Sequence, residues 1–166
     1  MSEDYRDYVA ARMTSLRRTA YLLCGDWHLA DDLVSTALLK LLRHWRRVSA
    51  MEDPDSYMRR VLLRCLLDER RRPWRREVSW DRLPEPPRTE TGVPAVEHAE
   101  IVAALAKLPP RRRAVLVLRY FCDLSVEQTA IELDCTPGTV KSQTARALQT
   151  LRDILGASSE GMTSHG

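Results

Sequence analysis

Phenylalanine occurs once and glycine only six times in these 166 residues. Alternating β-branched runs are few, so a sheet has little to be built from. No stretch approaches the ~18 consecutive apolar residues that a membrane-spanning helix needs. The start, MSEDYRDYVAARM, is acidic and then amphipathic, which is not the pattern of a secretory signal. A protein without membrane insertion, in the cytoplasm, is expected. The four cysteines, Cys24, Cys65, Cys122 and Cys135, contain no C-x-x-C pair. They read as small buried hydrophobes in a reducing compartment. His28, His44, His98 and His165 neither cluster with them nor stand in Glu-x-x-His spacing, so no metal site is expected. A Gly-rich phosphate loop and a nucleophile–base pairing are both missing, which argues against an enzyme and against a bound cofactor.

What is abundant is leucine, alanine and arginine, with apolar residues recurring at three- and four-residue spacings. That pattern predicts an all-α chain. The net charge is only +3, yet it is unevenly spread. Residues 1–77 carry +4, residues 78–100 carry −3, and residues 101–155 carry +3. Two basic blocks flank an acidic connector, as suits two modules that face nucleic acid.

The first helix is expected from about Glu3 to Cys24, with Val9, Met13, Leu16, Ala20 and Leu23 on one stripe and Gly25 as its terminator. Asp26 caps a second helix running to Arg47, with apolar positions Ala30, Leu33, Val34, Ala37, Leu38, Leu41, Leu42 and Trp45. A loop at Val48–Pro54 follows. The third helix is expected to bury Tyr57, Val61, Leu62, Cys65 and Leu66, and its outer side is rich in arginine. From Val78 to Pro94 the helical period collapses in SWDRLPEPPRTETGVP, which holds four prolines and reads as a flexible linker. Helical signals return at Ala95–Leu108, after Pro109-Pro110, at Ser125, and at Thr136. The last helix is expected to end at Gly156, leaving 156–166 as a disordered tail. Two small helical domains result, residues 1–77 and 95–155, joined by the linker 78–94.

Residues 125–148 have helix-turn-helix spacing: a short helix, a tight turn at Asp134-Cys135-Thr136, and a second helix from Pro137. Ser125 and Gln128 match an S-x-x-Q capping box. Ala130, Ile131 and Leu133 are expected to face inward, with Val140, Ala147 and Leu148 opposite. In such units the amino-terminal half of the second helix enters the major groove. Thr139, Lys141, Ser142, Gln143 and Arg146 are then the candidate DNA contacts: Lys141 and Arg146 toward phosphate or guanine, Ser142 and Gln143 toward base edges, with glutamine suited to adenine. In the first block Tyr57, Arg59, Arg60, Arg64 and Trp74 combine stacking faces with guanidinium groups, as single-stranded DNA binding requires. Helix two could dock a partner helix with part of its apolar face, although core is the commoner fate of such residues.

Together the segments LRRTAYLLCGDWHLADDLVSTALLKLLRHW, DPDSYMRRVLLRCLLDERRR and LAKLPPRRRAVLVLRYFCDLSVEQTAIELDCTPGTVKSQTARALQTLR resemble an extracytoplasmic-function (group IV) sigma factor of the sigma-70 family, over about residues 5–155. The resemblance implies that the protein binds core RNA polymerase and directs promoter-specific initiation. It implies that Asp32, Leu33, Val34, Ala37, Leu38 and Leu41 face the clamp coiled coil of the largest subunit. It implies further that Tyr57, Arg60 and Arg64 engage the minus-ten element, and that Thr139, Lys141, Ser142, Gln143 and Arg146 read the minus-thirty-five element. The flap of the second-largest subunit and an anti-sigma factor are further partners that it implies. One departure stands in helix two, where Ser35-Thr36 replace the Gln-Glu or Gln-Asp common in the family. The competing readings are a stand-alone helix-turn-helix regulator, a helical enzyme, and an adaptor that binds its partner through helix two.

Overall fold

The computed structural model describes residues 3–70 and 95–163. All regular elements among them are helices, and they form two compact units. The first unit is built from α1 (Glu3–Cys24), α2 (Trp27–Arg43), α3 (Trp45–Ser49) and α4 (Pro54–Arg70). Gly25 stops α1 in the left-handed region at φ 77°. The Asp26 side chain then caps α2, accepting from the backbone N–H of His28 at 2.8 Å and of Leu29 at 3.4 Å. Helix α2 packs against α1 on one side and α4 on the other. Its residues Ala30, Leu33, Val34, Ala37 and Leu41 are buried there. Burying a leucine such as Leu41 stabilises the unit by roughly 1.5–3 kcal/mol.

Local pattern alone predicts α2 running through Arg47, but it stops at Arg43 and a separate helix, α3, starts at Trp45 after a turn at His44. The break places Trp45 against two tyrosines of α1, edge-on to Tyr5 with ring centroids 5.5 Å apart and tilted to Tyr8 at 5.2 Å. Tyr5 is tied further, its hydroxyl donating to the Leu38 carbonyl at 2.8 Å. Packing of three aromatic rings outweighs one more turn of α2. The expected loop at Val48–Pro54 is correspondingly shorter, because Val48 and Ser49 belong to α3. On α4 the buried stripe is Met58, Leu62, Leu63, Cys65 and Leu66, whereas Tyr57 and Val61 are only half-buried.

Asp55, in the first turn of α4, joins that helix to α1. Its carboxylate accepts from the Tyr8 hydroxyl at 2.6 Å and from Arg12 Nε at 2.9 Å. Burial pulls the carboxyl upward, but the bonds from Arg12 and Tyr8 and the charges of Arg12 and Arg59 outweigh it and hold the group below its ordinary value. Tyr8 is moved up, by burial first and then by Asp55.

The second unit comprises α5 (Ala95–Ala106), α6 (Pro110–Leu116), α7 (Val126–Leu133) and α8 (Pro137–Thr163). Helix α6 continues into a π-helical turn, Val117–Phe121, closed by Cys122 N–H to the Val117 carbonyl at 3.0 Å. Arg119 bonds the Leu124 carbonyl at 2.6 Å and braces the exit of that turn. Helices α5, α6 and α7 all pack on α8. Val115, Ala130 and Val140 form the centre of the contact, with Val126, Leu133 and Cys135 packed around them.

Two expectations change here. Ile131 does not face inward: it is 62 % exposed, while Thr129 and Ala130 fill the inner face of α7. Gly156 does not end the last helix, which continues to Thr163, so the start of the expected disordered tail is helical. Trp74 and the linker 78–94 lie outside the described residues.

The same substitution is therefore expected to act with opposite sign at two glycines. Gly25→Ala forces a Cβ into the left-handed region and should lower stability by roughly 1–2 kcal/mol. Gly156→Ala meets open space within a helix and should raise it by up to about 1 kcal/mol. Thermal melts of both variants check the pair. Because the folded-state value of Asp55 is depressed, its stabilisation is complete above the ordinary carboxylate pKa of about 4. It is lost as pH falls through the lower folded-state value. Asp55→Asn is expected to reduce stability at neutral pH and to flatten the acid side of a stability–pH profile. An acid limb as steep as in the parent would show that Asp55 is not linked to folding.

Candidate nucleic-acid and partner interfaces

The second unit presents α8 outward through a chain of local determinants. Ser125 and Gln128 form the expected capping box, with Gln128 N–H donating to Ser125 Oγ at 3.0 Å and Ser125 N–H to Gln128 Oε1 at 3.1 Å. Helix α7 ends at Asp134, whose φ of 54° and ψ of 54° are left-handed. Cys135 N–H reaches back to the Ala130 carbonyl at 3.0 Å and Asp134 N–H to Ile131 at 3.3 Å. This pair is a Schellman closure, with aspartate in the place that glycine usually takes. Arg111 adds a bond to the Leu133 carbonyl at 3.2 Å, a cation at the negative end of α7. Thr136 Oγ1 then caps α8 by accepting from Thr139 N–H at 3.1 Å.

Val140, fully buried against Val115 and Ala130, fixes the rotation of α8. With Val140 inward, Lys141, Ser142, Ala145 and Arg146 are exposed on the opposite side, and Thr139 and Gln143 are half-buried at its edge. Three polar groups have internal partners. Thr139 Oγ1 lies 2.9 Å from Thr136 Oγ1, Ser142 Oγ donates to the Thr139 carbonyl at 3.1 Å, and Gln143 Oε1 accepts from Arg112 Nε at 3.2 Å. The face thus offers two long cations, two small side chains and one oriented amide. Those are the groups that contact phosphates and base edges in a major groove.

In the first unit, Tyr57, Arg60 and Arg64 share one side of α4 at three- and four-residue spacing. Tyr57 is half-buried and the two arginines are exposed. Asp55 anchors the start of this helix to α1, so the side carrying the arginines is held in one orientation.

The expected partner-facing residues of α2 are divided. Asp32 is exposed. Leu33, Val34, Ala37, Leu38 and Leu41 are buried in the unit's own core, none more than 9 % exposed. Their side chains hold α2 to α1 and α4 and cannot also form a free face. The face that α2 leaves open is Asp32, Ser35, Thr36 and Leu39. Leu39 is 63 % exposed, the most exposed large apolar side chain among the described residues. Its signal in the sequence was its position off the apolar stripe. Arg112 had no such signal, because its partner is 31 residues away.

Comparison with known proteins finds a match for each of the two units. The model of sigma-70 region 2 matches residues 9–76, and that of sigma-70 region 4 matches residues 98–151. The chain is 34 % identical over 152 residues to the RNA polymerase sigma-E factor of Streptomyces coelicolor, covering 92 % of this chain and 86 % of that protein. It is 32 % identical over 158 residues to the ECF RNA polymerase sigma factor EcfG of Rhodopseudomonas palustris, covering 93 % and 87 % respectively. Its fold is similar to that of the sigma factor RpoE from Bartonella quintana, solved in complex with the anti-sigma factor NepR. The TM-score is 0.77 at 20 % identity, over 93 % of this chain and 98 % of that one. With regions 2 and 4 matched in order on its two helical units, the chain belongs to the ECF type of the sigma-70 family of RNA polymerase sigma factors.

Proposed function

We propose that this protein binds core RNA polymerase in the cytoplasm and directs it to promoters, taking no part itself in nucleotidyl chemistry. The observation that carries the reading is the α8 face, where Val140 packs inward and Lys141, Ser142 and Arg146 project from a capped recognition helix. In this reading Thr139, Lys141, Ser142, Gln143 and Arg146 contact the minus-thirty-five element as duplex. Tyr57, Arg60 and Arg64 on α4 engage the minus-ten element, where an aromatic ring and guanidinium groups suit an unstacked strand. Residues 1–77 and 95–155 act as the two modules and 78–94 as their linker, in the manner of a group IV factor. No helix among the described residues is long and apolar enough to cross a membrane.

Docking on the clamp coiled coil falls to the exposed part of α2. Leu39 supplies an apolar contact, and Asp32, Ser35 and Thr36 supply a polar rim around it. Serine and threonine are shorter than the glutamine and acid common at these positions, which leaves Leu39 more prominent. The second unit would rest on the flap of the second-largest subunit. The solved RpoE is held by an anti-sigma factor, and a similar inhibitor of this chain would cover the same surfaces.

Neither DNA-facing module presents enough cations for tight binding alone, because affinity built on a few phosphate contacts falls steeply with salt. Held at a fixed span on polymerase, their weak contacts combine.

Gel filtration of the purified protein with sigma-free bacterial core polymerase should show stoichiometric comigration. Leu39→Asp is expected to weaken that association at least tenfold with an unchanged melting temperature, since the side chain is mostly solvated. Comigration undiminished by Leu39→Asp would remove α2 from the docking surface. Lys141→Ala with Arg146→Ala should spare polymerase binding but abolish transcription from a promoter that needs its upstream element. Full transcription by that double variant would remove α8 from promoter reading. A folded protein that ignores polymerase yet binds duplex operator tightly would be a stand-alone regulator.

A further inference from the structure

We infer that Arg112 is a positioning residue for base reading: it holds the Gln143 amide so that α8 favours the keto bases guanine and thymine where that side chain reaches. The inference rests on the reading of Gln143 as a base contact, and it goes further by stating which bases the side chain selects.

Arg112 belongs to α6, and Gln143 lies in the second turn of α8. Their side chains meet at 3.2 Å, Arg112 Nε donating to Gln143 Oε1, with both residues half-buried. A glutamine amide has two ends that look alike, and its orientation is ordinarily an assignment. Here chemistry makes the assignment. A guanidinium nitrogen can only donate, so the atom facing it is the amide oxygen.

An unconstrained glutamine reads adenine by two bonds at once. The oxygen accepts from the N6 amino group and the NH2 donates to N7. In this protein the oxygen is already engaged and lies beside a positive charge. The end left to the groove is the NH2, a pair of donors. Donors seek O6 and N7 of guanine or O4 of thymine, whereas adenine offers them N7 alone and loses the second bond, from N6 to the amide oxygen, that makes it the usual partner of glutamine. Cytosine N4 and adenine N6 present N–H hydrogens at the same edge of the groove, where they would meet both a donor and a cation. The bond also removes rotamer freedom from Gln143 before DNA arrives, which lowers the ordering cost on binding. Lysine would keep the charge of Arg112 but lose the fixed direction of the Nε–H.

The test uses the full chain reconstituted with core polymerase, transcribing a promoter library randomised across the upstream element. Gln143→Ala is expected to flatten base preference at one position, which locates the contact. Arg112→Met should leave preferences elsewhere unchanged and lower the ratio of keto to amino bases at that position by about fivefold, the worth of one hydrogen bond. Gln143→Glu, which accepts only, should invert the preference there toward cytosine or adenine. An unchanged ratio in the Arg112→Met variant overturns the inference. So does a uniform loss over all sequences that Arg112→Lys restores, since that outcome makes Arg112 a phosphate contact. If Arg112→Met does not fold, a keto preference persisting in Gln143→Glu overturns it equally. If Gln143→Ala alters no position at all, Gln143 is not a base contact. That outcome is distinct from one in which Gln143→Ala acts and Arg112→Met does not.

Discussion

The contact of Val140 with Val115 and Ala130 is the constraint from which the outward face of the second unit follows. Three small apolar side chains from three helices meet at one point and leave no room for rotation. Because a helix advances 100° per residue, fixing one side chain fixes all its neighbours. Residues 141, 142, 145 and 146 are outward because 140 is inward. A larger residue at Ala130 would move α8 as a body, and with it every contact on the opposite side. Small residues at the crossing therefore set the outward face as much as the cations on it do, although they lie inside the unit.

The first unit solves a similar problem by different means. Its α4 carries arginines on one side and a dense apolar stripe on the other, and an apolar stripe alone allows some sliding along the helix axis. The Asp55 carboxylate, held by Tyr8 and Arg12, pins the start of α4 at one level on α1. Tyr5 and Trp45 do the same for the far end of α2. Hydrogen bonds and ring contacts set the register, while the leucines supply most of the burial.

Local chemistry was legible in the sequence where the partner lay within a few residues. Asp26, Ser125, Gln128 and Thr136 are caps whose bonds span two or three positions, and each was found at its expected place. The end of α1 at Cys24 and the tight turn at Asp134-Cys135-Thr136 were legible for the same reason. Features set by distant partners were not. The break at His44 depends on rings of α1, roughly forty residues upstream, and no local period announces it. The π-helical turn replaces ordinary helix at a point where leucine, valine and aromatic residues give no breaker signal. Helix two illustrates the limit most clearly. Its apolar stripe showed that one side was buried, but not whether by its own unit or by a partner. The structure assigns Leu33, Val34, Ala37, Leu38 and Leu41 to the unit itself and leaves Leu39 outside. Ile131 misled for a related reason: apolar character was read as burial, although a short helix packed along one edge leaves its far side to solvent.

The π-helical turn at Val117–Phe121 has a consequence for how the second unit can change over time. Such a turn is an ordinary helix carrying one surplus residue. The wider i→i+5 turn takes up that residue locally, so the chain beyond it leaves in nearly the phase of an unbroken α-helix one residue shorter. A residue added to regular helix, with no such turn to take it up, would rotate everything after it by about 100°. The turn thus works as a buffer of length for the recognition unit: Arg119 still meets the carbonyl it braces, and α7 enters the crossing with its inner side toward Val140.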